Sequence, residues 1–221
     1  MAIEAVEDLR GPAGKLEALL NVGTADAKYA AVVCHPHPPD GGTMHTKAVF
    51  HAAKALNSFG FPVLRFNFRG VGLSDGSYAK GVGEVEDARA AIDWAATQFN
   101  LPLIVGGFSF GANMALRAGC GDPRVAGLIG LGTPLQAGGR SYDYDFLADC
   151  SQPKLFVTGA ADPYAPRAVM EERFFSAPPP ILAVWVPGAD HFFAGTEDSP
   201  TSKLPEMRLA IEEWVAATFT F

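Results

Sequence analysis

A chain of 221 residues, 48% of them apolar, is long enough to bury its own core, so one domain over residues 1–221 is the natural reading and no metal or disulfide staple is needed. Its net charge of −7 and pI of about 5.2 argue against nucleic acid or an anionic membrane as partner. The cysteines, Cys34, Cys120 and Cys150, are odd in number, widely spaced and without a Cys-x-x-Cys pair, which excludes a disulfide framework and a cysteine zinc site.

The opening residues, Met1-Ala2-Ile3-Glu4-Ala5-Val6-Glu7-Asp8, are acidic and lack an apolar core, so they do not read as a signal peptide. The uncharged run from Leu101 to Leu116 is too short and too rich in Gly and Pro to span a bilayer. A cytoplasmic protein is the expectation.

In chain order, Ile3 to Leu9 and Lys15 to Val22 alternate loosely around Arg10-Gly11-Pro12-Ala13-Gly14 and predict a hairpin. Ala30 to Cys34 is apolar throughout, the pattern of a strand buried on both faces. The next stretch, His35-Pro36-His37-Pro38-Pro39-Asp40-Gly41-Gly42-Thr43-Met44-His45, is too rich in Pro and Gly for regular structure. Thr46 is placed to cap a helix with the stripe Val49, Ala52, Ala53 and Leu56, which Gly60 ends.

Pro62 to Phe68 predicts a strand, and a glycine-rich loop follows it. Glu84 to Phe99 predicts a helix with Val85, Ala88, Ile92, Ala95 and Phe99 on one face. Leu101 to Val105 predicts a buried strand; a glycine-rich turn follows it, then Ala112, Ala115, Leu116 and Ala118 at helical spacing. Further strands are expected over Val125 to Leu131, Leu155 to Thr158 and Ile181 to Val186. Helices are expected from Pro166 to Phe175 and from Pro205 onward, the latter with Met207, Ala210, Ile211, Trp214 and Val215 on one face. The stretch 133–151 reads as loop with one helical turn near Tyr144 to Ala148. Buried strands alternating with amphipathic helices imply an α/β fold, a mostly parallel sheet with helices on both faces. Such sheets bind ligands at the carboxyl ends of their strands.

Three residues fall just past three of these strands. Ser109 sits in Gly107-Phe108-Ser109-Phe110-Gly111, between strand and helix, the context of a nucleophile elbow. Asp162 lies in Gly159-Ala160-Ala161-Asp162-Pro163, and His191 in Gly188-Ala189-Asp190-His191-Phe192. A serine hydroxyl is a weak nucleophile at neutral pH. An imidazole must take its proton, and a carboxylate must orient the imidazole and stabilise its charged form. His191 is the only histidine in the C-terminal half. Asp190 adjoins it and is poorly placed to reach its Nδ1, while Asp143, Asp145 and Asp149 stay open as alternative acids. A rival reading is a metal site at His35, His37 and His45, because His-x-His can bind zinc. Asp40 falls one place too late for the His-x-His-x-Asp-His signature of metallo-β-lactamase-like hydrolases, and no histidine follows it. No metal and no cofactor are expected.

Taken together, these motifs resemble the α/β-hydrolase superfamily over essentially the full length of the chain. The nearest resemblance is to small bacterial hydrolases marked by His-Pro-x-x-x-x-Gly-Gly-x-Met after the third strand, here His35-Pro36 through Gly41-Gly42-Thr43-Met44. The loop Arg69-Gly70-Val71-Gly72-Leu73-Ser74, the elbow, the acid turn and the histidine loop complete the likeness. The resemblance implies an alpha/beta hydrolase fold whose eight-stranded sheet has its second strand antiparallel, and Ser109, Asp162 and His191 as catalytic residues. It implies an oxyanion hole of backbone N–H groups from Phe110, after the nucleophile, and from His37. Pro36, Pro38 and Pro39 have no N–H to offer.

A lid usually follows the sixth strand in this superfamily. Here about twenty residues separate Leu131 from Leu155, so the lid is short or absent. An open cleft suits small soluble esters, with Phe110, Tyr164, Phe192 and Phe193 available as an apolar wall. The leading expectation is therefore a serine carboxylesterase acting on a small-molecule ester. A peptidase or thioesterase with the same triad, or a non-catalytic binding protein of this fold, is the alternative. The oligomeric state is left open.

Overall fold

The structure is a computed structural model that describes residues 2–220. Eight strands form one sheet: β1 (Ile3–Val6), β2 (Ala18–Asn21), β3 (Ala30–Cys34), β4 (Val63–Phe66), β5 (Leu103–Phe108), β6 (Val125–Leu131), β7 (Lys154–Gly159) and β8 (Ile181–Val186). Their order is β1-β2-β4-β3-β5-β6-β7-β8. β2 runs antiparallel to both neighbours, and every pairing from β4 to β8 is parallel. This is an α/β-hydrolase-type sheet.

The helices are α1 (Lys47–Asn57), α2 (Val82–Phe99), α3 (Phe110–Gly119), α4 (Arg167–Phe175) and α5 (Leu204–Thr218). The two-residue period of the strands divides the core between two faces. In β3, Ala30, Val32 and Cys34 join α2, α3 and α4 in one cluster. Ala31 and Val33 join α1 and α5 in the other. That is why the central strands read as unbroken apolar runs. Among the described residues, no helix is long and apolar enough to cross a membrane.

The expected hairpin at the N-terminus is interrupted. Ile3 pairs with Asn21 as anticipated, but Arg10–Gly11 and Gly14–Lys15 form a separate two-stranded ladder. Leu9 and Leu16 cause the break, since both turn into the core with no exposed surface. Thr46 does precede α1, but its side chain does not cap it. Its hydroxyl accepts the Thr43 N–H instead. α2 starts two residues earlier than the stripe suggested, because the Glu84 carboxylate reaches back to the N–H groups of Ala79 and Gly81.

Between β6 and β7 the chain makes a small ladder, Gln136–Ala137 against Arg140–Ser141, and a 3-10 turn over Asp145–Asp149. The sequence reading found the turn but not the ladder. Two-residue strands carry no periodicity, and only Gly138 and Gly139, both at positive φ, signalled the reversal.

Candidate active site

β5, β7 and β8 are parallel, so their carboxyl ends lie along one edge of the sheet. Ser109, Asp162 and His191 all emerge there.

Ser109 follows β5 directly, with φ 56° and ψ −122°. For a non-glycine residue this is a strained conformation. It is enforced from both sides. A Cβ on Gly107 would meet the Gly111 carbonyl oxygen at 2.2 Å, and a Cβ on Gly111 would meet the His35 carbonyl oxygen at 2.3 Å. The two glycines let the start of α3 fold back onto β5 and lie against the end of β3. The serine N–H is held by the Leu131 carbonyl at 2.8 Å.

His191 Nε2 lies 2.9 Å from Ser109 Oγ, and its Nδ1 lies 2.8 Å from Asp162 Oδ2. All three residues are buried. The Asp162 side chain has no exposed surface, and its second oxygen accepts the Tyr164 N–H at 2.9 Å. A carboxylate at Nδ1 fixes the tautomer, leaving Nε2 as the acceptor for the serine proton. Tyr164 and Phe192 stand edge-on to the imidazole, at 4.8 and 5.1 Å between ring centres. The rival acids are engaged elsewhere: Asp143 with Arg117, Asp145 with Arg173. Asp190 organises the histidine loop by accepting the N–H groups of Phe192 and Ala194.

The His-Pro loop forms the opposite wall, and side chains from β4 and beyond tie it down. His35 Nε2 accepts the Phe68 N–H at 3.0 Å, which leaves Nδ1–H to donate to the Pro36 carbonyl at 2.7 Å. Burial drives its pKa down to about 4, against the Pro36 bond, which favours the charged form. His35 is therefore a neutral structural pin. Met44 is gripped at both backbone groups: its N–H by Asn67 Oδ1 and its carbonyl by Arg65, itself buried and also donating to Asn21. Gly42 lies so close to Pro36 that a Cβ would sit 2.1 Å from the Pro36 oxygen.

This bracing leaves His37 at the lip of the cleft. Its Nε2 is 2.8 Å from the Tyr78 hydroxyl, and its ring packs edge-on to Tyr78 and Phe110. Its Nδ1 is 2.9 Å from Asp40 Oδ2. That contact lacks hydrogen-bond alignment and acts as an electrostatic contact. Burial and then Arg140 hold the His37 pKa below its usual value, with Asp40 acting in the other direction. The N–H groups of His37 and Phe110 have no acceptor among the described residues. Phe110 also begins α3, where the helix dipole favours negative charge.

The histidines of the rival metal reading do not converge. The His35 ring is bonded at both nitrogens, the His37 ring is turned to Tyr78 through Nε2 and to Asp40 through Nδ1, and His45 is exposed. No group of three His, Cys, Asp or Glu side chains among the described residues could hold a metal ion.

Ser109, His191, His37, Tyr164 and Phe192 line a cleft of about 450 Å³. Of the expected apolar wall, Tyr164 and Phe192 are present. Phe193 is not, since it is wholly buried in the core. Phe110 turns toward a neighbouring cavity. Sequence reasoning missed Arg140, which reaches from the small ladder to Asp40 Oδ2 at 2.8 Å and closes one side of the cleft. No local pattern joins two residues 100 positions apart.

A family profile described as an alpha/beta hydrolase domain matches residues 30–218. An uncharacterized protein of Rickettsia prowazekii is 37% identical over 193 residues, covering 83% of this chain and 79% of that protein. An alpha-beta serine hydrolase homologue from Coxiella burnetii superposes with a TM-score of 0.83 at 33% identity, covering 96% of this chain and 97% of its own. A serine hydrolase without lid from Xanthomonas campestris gives 0.82 at 34% identity, covering 98% and 95%.

Proposed function

This chain belongs to the alpha/beta hydrolase domain family, and from that premise we propose that it is a carboxylesterase acting on small soluble esters through Ser109, His191 and Asp162. The observation that carries the reading is the unbroken line from Asp162 Oδ2 to His191 Nδ1 at 2.8 Å and from His191 Nε2 to Ser109 Oγ at 2.9 Å. The serine resemblance of the Coxiella and Xanthomonas structures supports it.

In the proposed cycle, Ser109 Oγ attacks the ester carbonyl carbon while its proton passes to His191 Nε2. The carbonyl oxygen becomes an oxyanion held by the N–H groups of Phe110 and His37. Asp162 stabilises the imidazolium without taking its proton. Collapse breaks the bond to the leaving oxygen, which receives the proton from Nε2 and departs as the alcohol. Water then attacks the acyl-serine, giving its proton to His191, and the second collapse returns Ser109 and releases the acid. No cofactor enters the cycle. The short connection between β6 and β7 leaves the cleft open to soluble substrate.

The test is Ser109→Ala against p-nitrophenyl esters of graded acyl length. The variant should lose activity by roughly 10⁴–10⁶-fold with its fold intact, and a fluorophosphonate should label the parent at Ser109 alone. Full activity or full labelling in the variant overturns the proposal.

A further inference from the structure

Beside the 450 Å³ cleft lies a second, larger cavity of about 910 Å³. Its floor is apolar, made by the rings of Phe110 and Tyr78 with Val85 and Met114, while Lys80, Glu86, Arg117 and Asp143 also line it; none of these side chains has a part in the chemistry above. Two side chains line both spaces, His37 and Arg140. Arg140 is half-buried on the small ladder, and its guanidinium is fixed to Asp40 at 2.8 Å. The Arg140–Asp40 bridge therefore stands between the cleft that holds Ser109 and the larger cavity.

We infer that the larger cavity is a binding subsite for an uncharged, apolar acyl chain, and that Arg140 sets how much of it an ester can reach. The inference rests on the serine-esterase reading. In that reaction the leaving oxygen must face His191 Nε2, and His191 lines only the smaller cleft. The alcohol portion belongs there. The carbonyl oxygen faces the N–H groups of Phe110 and His37. The acyl chain is left on the side of the Phe110 ring, which lines the larger cavity and not the smaller.

The apolar floor of Phe110, Val85 and Met114 suits such a chain, because moving methylenes out of water is favourable and non-directional. The partition is easily removed. The Asp40 side chain is 61% exposed, and ion pairs at that exposure contribute little to stability. With the bridge in place the acyl side is short, and without it the two spaces become one.

The experiment compares kcat/KM for p-nitrophenyl octanoate with that for p-nitrophenyl acetate, as a ratio, in the full chain. Arg140→Ala should raise the octanoate-to-acetate ratio by about ten-fold, the scale of discrimination that a few apolar contacts supply. Arg140→Lys, which keeps a cation opposite Asp40, should stay near the parent ratio. Adding Val85→Phe to Arg140→Ala fills the cavity floor and should bring the ratio back down. Thermal melts confirm that each variant is folded, and Val82→Trp at the exposed rim replaces Val85→Phe if that variant melts early. An unchanged ratio in Arg140→Ala, or a raised ratio that the filling variant leaves untouched, overturns the subsite while parent activity on acetate keeps the esterase reading standing. A parent inactive on every ester overturns both.

Discussion

His35 and His37 are two residues apart and have opposite fates. His35 is wholly buried and must be neutral, since its Nε2 accepts a backbone N–H. The unfolded chain takes up this proton near the ordinary value of 6.5, whereas the folded protein resists until about 4. Between those values the unfolded state binds more protons, so stability falls as pH falls through the window. Full protonation costs about 3 kcal/mol. Urea melts at pH 7, 5.5 and 4 should show this loss, and His35→Gln should flatten that part of the curve even though it lowers stability at pH 7. A variant curve as steep as the parent's would assign the loss to other groups. His37 is proposed to work through its backbone. Its imidazole packs on Tyr78 and Phe110, and Nε2 is turned to the Tyr78 hydroxyl. His37→Ala should therefore keep much of the esterase activity, while His37→Pro loses about 10²–10³ in kcat, the usual cost of one oxyanion donor. Equal losses in the two folded variants would give the role to the ring instead.

The elements divide by how local their causes are. Buried strands announce themselves as apolar runs, and the elbow as two glycines around a serine, because each cause lies within a few residues. Ser109, Asp162 and His191 were legible for the same reason, each in its own turn after a strand. The motif loop was visible as a pattern, but its bracing by Arg65 and Asn67 was not, since those bonds cross from β4. The 133–151 segment was the least legible. Its ladder is two residues long, and what holds it is tertiary. Arg140 reaches Asp40, Asn113 donates to the Asp143 carbonyl, Arg117 pairs with Asp143, and the Leu135 N–H donates to the Tyr164 carbonyl. A segment tied at so many points does not swing aside as a unit. On the proposed esterase reading, the rate on a soluble ester should therefore show no jump when the substrate passes its solubility limit or when lipid vesicles are added. A sharp rise at the interface would mean that the segment opens as a lid.

At the scale of the whole molecule, two apolar layers on one sheet hold the strained Ser109 in place. The sheet edge, the His-Pro loop and the Leu131 carbonyl all converge on Ser109. A conformation of that kind costs about 1–3 kcal/mol in a residue with a Cβ. Glycine adopts it without that cost but loses more entropy on folding, about 0.5–1 kcal/mol. Ser109→Gly should thus be the more stable protein, by about 1 kcal/mol, or about 2–4 °C in Tm for a chain of this length. Ser109→Ala, which keeps its Cβ, should melt near the parent. Equal melting of the glycine and alanine variants would show that the surroundings relax around the turn. The consequence reaches into how such a chain can evolve. On the proposed mechanism, only selection for turnover keeps a side chain at position 109. A lineage released from that selection gains robustness by a glycine there, and a relative of this chain with glycine at that place would be read as one that has stopped doing chemistry and kept the cleft.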